Sequence, residues 1–344
     1  MSHAIIISLY KISDITLKLC SKLNDLGAEH IVVVNDGCPT DNDFFNELVS
    51  IGCNIVNLKA ESGKGKCIKA GIKFAHNNLH NIDGYITADA DGQHKAEDIM
   101  KVSRALELRP DSLVLGKRNL KKSKAPLIVK FGHRISSIYF KIITGTSCKD
   151  TQTGLRGIPA TLYDLAVSTA GNRFDYEMNF LTKCADRKVP LYFVDITTDY
   201  SCSNISNYRI VKDTYLIYKT PLRFATASIG CTVVDLILFT LFAYLLPSKF
   251  VFSVALATLL ARIVSGALNF SINRHIIFAN DGKAKTQALR FFVLFFIIMC
   301  LSMLIVSALS FLPVPVTLIK AIVDILLWTV NYTCQRKWVF KNSK

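Results

Sequence analysis

The sequence predicts two architectures in one chain: an α/β domain built on a mostly parallel sheet, followed by an all-α membrane domain of four helices. Three observations lead there. Up to about residue 215, short β-branched apolar runs alternate with amphipathic stretches. From about residue 222 onward long apolar runs take over, and the mean hydropathy of the whole chain is +0.32. The glycine-containing polar motifs of the first half fall directly after its apolar runs, where ligands bind in a parallel sheet.

Taken in order, Ala4–Leu9, His30–Asn35, Asn54–Leu58, Gly84–Ala88 and Ser112–Leu115 read as strands. The stretches 14–27, 41–52, 66–78 and 95–108 read as helices between them. This alternation argues for a parallel sheet with helices on both faces. The first apolar run is too short for a signal peptide and no small-residue cleavage site follows it, so the first domain is expected in the cytosol. Residues 127–143 are apolar but interrupted by Lys130, His133, Arg134 and Lys141, the pattern of a helix lying on a membrane surface. A second such interface helix is expected at 206–220.

Spanning a bilayer takes ~20 mostly apolar residues. Stretches 224–246, 250–272, 289–312 and 314–333 meet that length and pair into two hairpins through short turns at Pro247 and Pro313. The link 280–285 and the C-terminal tail are basic and the short turns are not, so link, tail and N-terminal domain are expected on the cytosolic side. The two hairpins echo each other: Asn269 to Phe278 and Asn331 to Phe340 both run from Asn-aromatic through Arg to Phe. Asp235, Arg262, Lys320 and Asp324 lie inside the spans. They suit either mutual pairing or a grip on a lipid phosphate.

The 41 Lys and Arg against 26 Asp and Glu leave a net charge of +15. Beside so much apolar sequence, that excess favours a membrane surface and phosphorylated substrates over nucleic acid, for which no aromatic or helical recognition motif is present. The ten cysteines lack metal-ligand spacing and read as reduced thiols.

The chemistry concentrates in three motifs. In Thr87-Ala88-Asp89-Ala90-Asp91-Gly92-Gln93-His94 a strand runs into two carboxylates spaced i, i+2. In extended chain these point the same way and can share a hard cation, with Gln93 as a further ligand. Taken alone, the motif equally suits a polar turn. Val32–Asn35 ends in Asp36-Gly37, which places Asp36 to accept from a base or ribose. Glu61-Ser62-Gly63-Lys64-Gly65 offers a glycine-flanked lysine to phosphate.

In this order the motifs resemble family 2 glycosyltransferases of the GT-A fold, nearest the polyprenyl-phosphate (dolichol-phosphate-type) sugar synthases. Asp150 to Arg156 resembles that family's Asp-x-x-x-Gly-x-Arg segment, and Arg173-Phe174-Asp175-Tyr176-Glu177 its Arg-Phe-acid-aromatic-Glu. The C-terminal echo resembles the GtrA-like four-span family. Two departures lie at the nucleotide end: Tyr10 is kept but the usual following Asn-Glu is not, and Asn35 stands where an Asp is usual. The processive Gln-x-x-Arg-Trp motif is absent, so transfer of one sugar is favoured.

The resemblance implies a Rossmann-like GT-A domain over 1–215 and a GtrA-like membrane domain over 222–344. It implies inverting transfer of a hexose from a UDP- or GDP-linked sugar to polyprenyl phosphate, with Mg²⁺ or Mn²⁺, in a multi-pass protein of a bacterial or archaeal inner membrane. Asp89, Asp91 and Gln93 are the expected metal ligands, and Tyr10, Asp36, Lys64 and Asp89 the donor contacts. Asp150 is the candidate base, beside Asp91. Lys117, Arg118, Arg134 and Arg209 are the candidates for the acceptor phosphate. Paired charges in the spans also suit self-association. Two other classes compete: a lipid-linked-sugar carrier or flippase with a degenerate transferase domain, which the intact Asp89 and Asp91 disfavour, and a nucleotidyltransferase, which would open with a glycine-rich basic loop that Ser8–Ser13 lacks.

Overall fold

The computed structural model describes residues 2–40, 43–119, 127–197, 210–246, 253–278, 282–309, 311, 313 and 315–340. The chain divides into two compact units, Met1–Ile217 and Tyr218–Lys344.

The first unit alternates β1 (Ser2–Leu9), α1 (Asp14–Asp25), β2 (His30–Asn35), α2 (Asp43–Ser50), β3 (Asn54–Asn57), α3 (Lys64–Asn78), β4 (Ile82–Asp89), α4 (Ala96–Leu108) and β5 (Leu113–Arg118). It continues with α5 (Leu127–Thr144), β6 (Arg156–Pro159), α6 (Tyr163–Ser168), α7 (Asp175–Asp186) and β7 (Leu191–Ile196). The seven strands form one sheet in the order β3-β2-β1-β4-β6-β5-β7. Neighbours pair parallel except β6, which runs antiparallel to both β4 and β5. The sequence reading did not anticipate β6 or β7. All four β6 residues are buried, so that strand shows no apolar–polar alternation.

Strand alternation builds two cores. Ala4, Ile6, Val32, Val34 and Tyr85 face one side, with Ile68 and Ile72 of α3 and Phe180 and Leu181 of α7. Ile5, Ile7, Leu9, Val33 and Ile86 face the other, with Leu19 and Leu23 of α1, Leu48 of α2 and Ile99 of α4. Each buried Ile or Leu contributes about 1.5–3 kcal/mol, so both faces hold the helices to the sheet. Register then sets the site: Leu9 lies opposite Asn35, and Ser8 opposite Asp89, so the ends of β1, β2 and β4 meet at one edge.

The division between units falls within α8 (Ile210–Leu245), which runs through Pro221 as one helix. Its first turns therefore stand where part of a separate 206–220 interface helix was expected; residues 206–209 lie outside the described residues. In the second unit α8 is followed by α9 (Ser253–Ile272), α10 (Ala284–Leu309) and α11 (Val316–Cys334). Among the described residues three helices are long and apolar enough to cross a membrane: Lys212–Leu245, Leu256–Ile277 and Ala284–Leu309. α11 is a fourth helix, and it carries the Lys320–Asp324 ion pair at 2.9 Å.

The echo in the sequence is a structural repeat. Each copy leaves its helix through a π-helical turn, Asn273–Ile277 and Gln335–Val339. Their first residues, both buried, join across the repeat: Asn273 Nδ2 donates to Gln335 Oε1 at 3.0 Å. Asn273 also donates to Asn269, and Gln335 to Asn331, the same step in both copies. Phe278 and Phe340 stack with centroids 5.0 Å apart. The ionisable residues take the pairing alternative: Asp235 accepts from Ser265 and lies 3.4 Å from Arg262, and Asp324 accepts from Ser302 and Lys320.

Candidate functional site

The site forms at the carboxyl edge of the sheet. β2 ends at Asn35, whose side chain closes the next turn by accepting from Cys38 N and donating to Cys38 O and Asn57 Oδ1. A carboxylate at 35 could not make the two donations, which gives the departure from Asp a local reason. Asp36 is buried, and its two oxygens accept from Ser62 N at 2.6 Å and Gly63 N at 2.9 Å. Its structural task is thus to hold the Glu61–Gly65 turn.

That turn is packed too tightly for side chains at its glycines. Gly63 has φ +95°, and a Cβ there would lie 2.7 Å from Asn172 O; at Gly65 a Cβ would lie 2.4 Å from Tyr176 Cβ. The segment bearing Arg173 and Tyr176 therefore lies directly on the turn. Arg173 in turn binds Asp213 of α8 with two nitrogens, at 2.7 and 3.2 Å, and reaches Glu61 at 3.4 Å.

Lys64, the first residue of α3, points into the edge. Its Nζ lies 2.6 Å from Asp89 Oδ1 and 3.1 Å from Glu177 Oε1, with its side chain 11% exposed. Burial alone would lower its pKa, but the Asp89 and Glu177 carboxylates outweigh that and raise it. Asp89 moves the opposite way: burial raises its pKa, and Lys64 more than offsets this, holding it ionised. Among the described residues Asp91 forms no ion pair, and burial together with the charge of Asp89 pushes it up to about 6. Gln93 aligns Asp91 through its backbone N at 3.0 Å and its Nε2 at 2.9 Å. His94, lowered by burial to about 4, is neutral and accepts the Asp89 amide at Nδ1.

Among the described residues no group of three or more His, Cys, Asp or Glu is placed to hold a metal ion. Two carboxylates that repel each other, with an amide beside them, are nonetheless the oxygen ligands that suit a hard divalent cation.

β5 ends in Arg118, which grips buried Asp150 through Nε at 2.7 Å and NH2 at 2.8 Å. Arg118 N and Gln152 N add two further donors, and His133 of α5 stands 3.3 Å away. Burial would raise Asp150, yet Arg118 overrides it and holds the carboxyl well below the usual range. A carboxylate so tied is a poor proton acceptor and a firm anchor. Buried Arg156 wraps the same loop, donating to the carbonyls of Thr153, Thr151 and Glu177.

The other expected residues are dispersed. Tyr10 is 40% exposed. Lys117 pairs with Asp195 at 2.6 Å. Arg134 is exposed on α5, and Arg209 lies outside the described residues. α5 is amphipathic in an unusual sense: Ser136, Phe140 and Ile143 are buried, while Phe131, Ile135, Ile138 and Ile142 form an exposed apolar stripe at helical spacing. Glu177, His133 and Asp213 are the residues the sequence reading missed. Glu177 stood inside a recognised motif and His133 among the polar residues that interrupt 127–143, but nothing local marked Asp213.

Residues 223–340 match the family model described as GtrA/DPMS, transmembrane domain. That part of the chain is a GtrA/DPMS transmembrane domain. The GtrA/DPMS match covers the repeat of π-turns described above. Two uncharacterized proteins of Methanocaldococcus jannaschii are also similar. MJ1222 is 29% identical over 184 residues, 51% of this chain and 72% of its own length. MJ0544 is 28% identical over 158 residues, 42% of this chain and 66% of its own. Among solved structures, glucosyl-3-phosphoglycerate synthase of Mycobacterium tuberculosis in complex with phosphoglyceric acid aligns at a TM-score of 0.48 and 10% identity, covering 64% of this chain and 78% of that one. The same enzyme in complex with Mn²⁺, uridine diphosphate and glucosyl-3-phosphoglycerate aligns at 0.47 and 10%, covering 64% and 77%. Likenesses this distant carry no substrate or mechanism across.

Proposed function

We propose that this chain is a membrane glycosyltransferase that moves a single hexose from a UDP- or GDP-linked sugar to polyprenyl phosphate, with inversion, at the cytosolic face. One observation carries the reading: the acidic edge of Asp89, Asp91 and Glu177 around Lys64 lies in the same unit as α5, whose exposed apolar stripe alternates with basic residues. An edge of the first kind suits a diphosphate with its cation, and a helix of the second kind suits a lipid surface.

In this reading the Gly63-Lys64-Gly65 turn receives the diphosphate, and Tyr10 lies open to the base. Asp89, Asp91 and Gln93 would hold Mg²⁺ or Mn²⁺, which would supply positive charge to stabilise the departing diphosphate. The acceptor oxygen attacks the anomeric carbon as the bond to the diphosphate breaks. A phosphate monoester has a second pKa of ~6 and is largely dianionic at neutral pH, so it needs positioning more than a base. The tied state of Asp150 agrees with that: it fixes Arg118 and His133, while Arg134 on α5 meets the phosphate with Lys117 and Arg209. The membrane half supplies four spans, α11 included, with both termini cytosolic.

Membranes containing the protein, incubated with labelled nucleotide sugars, Mn²⁺ and polyprenyl phosphate, test this. Label is expected in the organic phase with wild type and not with Asp91→Ala. Equal labelling by the variant overturns the metal assignment, and no labelling from any donor overturns the transferase reading.

A further inference from the structure

The Lys64 ammonium occupies the position beside Asp89 that a cation would take. The contact is built, not incidental. Lys64 Nζ is 2.6 Å from Asp89 Oδ1 and 3.1 Å from Glu177 Oε1, and it lies 5.4 Å from the Phe174 ring centroid. Gly154 passes so close that a Cβ there would meet Asp89 Oδ2 at 2.5 Å and Lys64 Nζ at 2.6 Å. The main chain on that side is itself pinned, with Gly154 O accepting from Thr87 Oγ1 at 2.7 Å.

The charges around Lys64 do not balance. Asp89, Asp91 and Glu177 bring three carboxylates against one ammonium, and His94 accepts a backbone amide at Nδ1. The ionised cluster is short by two positive charges, the charge of one divalent cation. Yet a divalent cation at Asp89 would stand against the lysine, and like charges at such separations repel strongly in a partly buried site. The cluster therefore attracts the cation and obstructs it at once. A nucleoside diphosphate resolves the conflict. Its anionic oxygens would offer Lys64 a second partner, to which the flexible four-carbon stem can turn its ammonium.

We propose that Lys64 is a resident countercation for Asp89, so that the divalent cation binds tightly only once a nucleoside diphosphate has drawn Lys64 away. This rests on the donor reading above and assigns that site a coupling between its two ligands. The cation and the diphosphate then favour each other by the same factor in either order, because coupling between two sites is reciprocal.

The test is Mn²⁺ binding to the full-length protein in nanodiscs, followed by electron paramagnetic resonance, with and without UDP or GDP. In wild type, one of the diphosphates is expected to tighten Mn²⁺ binding by ~10-fold or more. Lys64→Met is expected to bind Mn²⁺ without nucleotide ~10-fold more tightly than wild type and to gain little from the diphosphate. Lys64→Arg keeps the charge and should behave as wild type, and adding Asp91→Asn to Lys64→Met should abolish the gain. Melting curves establish that each variant folds, and Lys64→Gln replaces the Met variant if that one does not. Unchanged or weaker Mn²⁺ affinity on neutralising Lys64 overturns the proposal, whatever the transfer assay shows. Tighter Mn²⁺ binding by the neutral variant, together with no sugar transfer by wild type from any donor, overturns the transferase reading and leaves the role of Lys64 standing.

Discussion

Replacing Arg118 with Met removes the guanidinium from a carboxylate that is fully buried, while keeping the length of the side chain. Asp150 loses its bonds at 2.7 and 2.8 Å and retains two backbone amides and His133 at 3.3 Å. Removing one partner of a buried pair costs about 3–5 kcal/mol, and the remaining donors place Arg118→Met near 3. For a unit the size of Met1–Ile217 that corresponds to a melting temperature lower by about 6–12 °C. Cys20, Cys67, Cys148 and Cys184 are buried free thiols of that unit, so a thiol-reactive fluorophore in a thermal ramp reports its unfolding. Asp150→Asn added to Arg118→Met removes the stranded charge and should recover most of the loss. The sign of the pH dependence follows from the depressed Asp150 pKa. The pair's contribution is present above the unfolded value of ~3.9 and is lost only as pH falls below it towards the folded value, so the gap between wild type and Arg118→Met should be flat from about pH 5 to 8. A gap under about 1 kcal/mol, or a double variant no more stable than Arg118→Met, would refute the view that Arg118 is held chiefly by Asp150.

Three further outcomes are expected. Asp213→Asn loosens Arg173 from α8 and with it the Glu61–Gly65 turn, so hydrogen exchange at the Ser62 and Gly63 amides should speed up while that of core strand β1 does not. His94 is 4% exposed and its pKa is lowered to about 4. The unfolded chain binds more protons between that value and ~6.5, so metal-free protein should lose about 3 kcal/mol of stability as pH falls through this window, and His94→Gln should flatten that limb of the melting profile. Asn273→Leu breaks the amide link to Gln335 and strands its acceptor in the second unit. A loss of about 1–3 kcal/mol is expected in a melt of the reconstituted protein, with Asn273→Gln less harmful than Leu.

The legible part of the site was its main-chain placement. Asp36, Lys64, Asp89, Asp91 and Arg118 each end, follow or begin an element whose apolar pattern is plain, so their arrival at one sheet edge could be argued from local runs and parallel topology. Their partners could not. Asp36 faces the Ser62–Gly63 amides rather than open space, and Asp150, a candidate base, is enclosed by Arg118 and His133. α5 was expected to be basic and amphipathic, but which of its faces stays exposed depends on Ser136 meeting Thr151 at 2.8 Å.

By itself the sequence determined the alternating α/β half, the apolar helices and the repeat, because periodicity, run length and internal similarity are properties of neighbouring residues. Only the tertiary structure decided the pairing of charges. Arg118 finds Asp150 across 32 positions, Arg173 finds Asp213 across 40, and Asn273 finds Gln335 across 62. Long flexible side chains at a sheet edge have several candidate partners within reach. Burial then selects among them, since a charge or amide withdrawn from water must be satisfied by whatever the fold brings beside it.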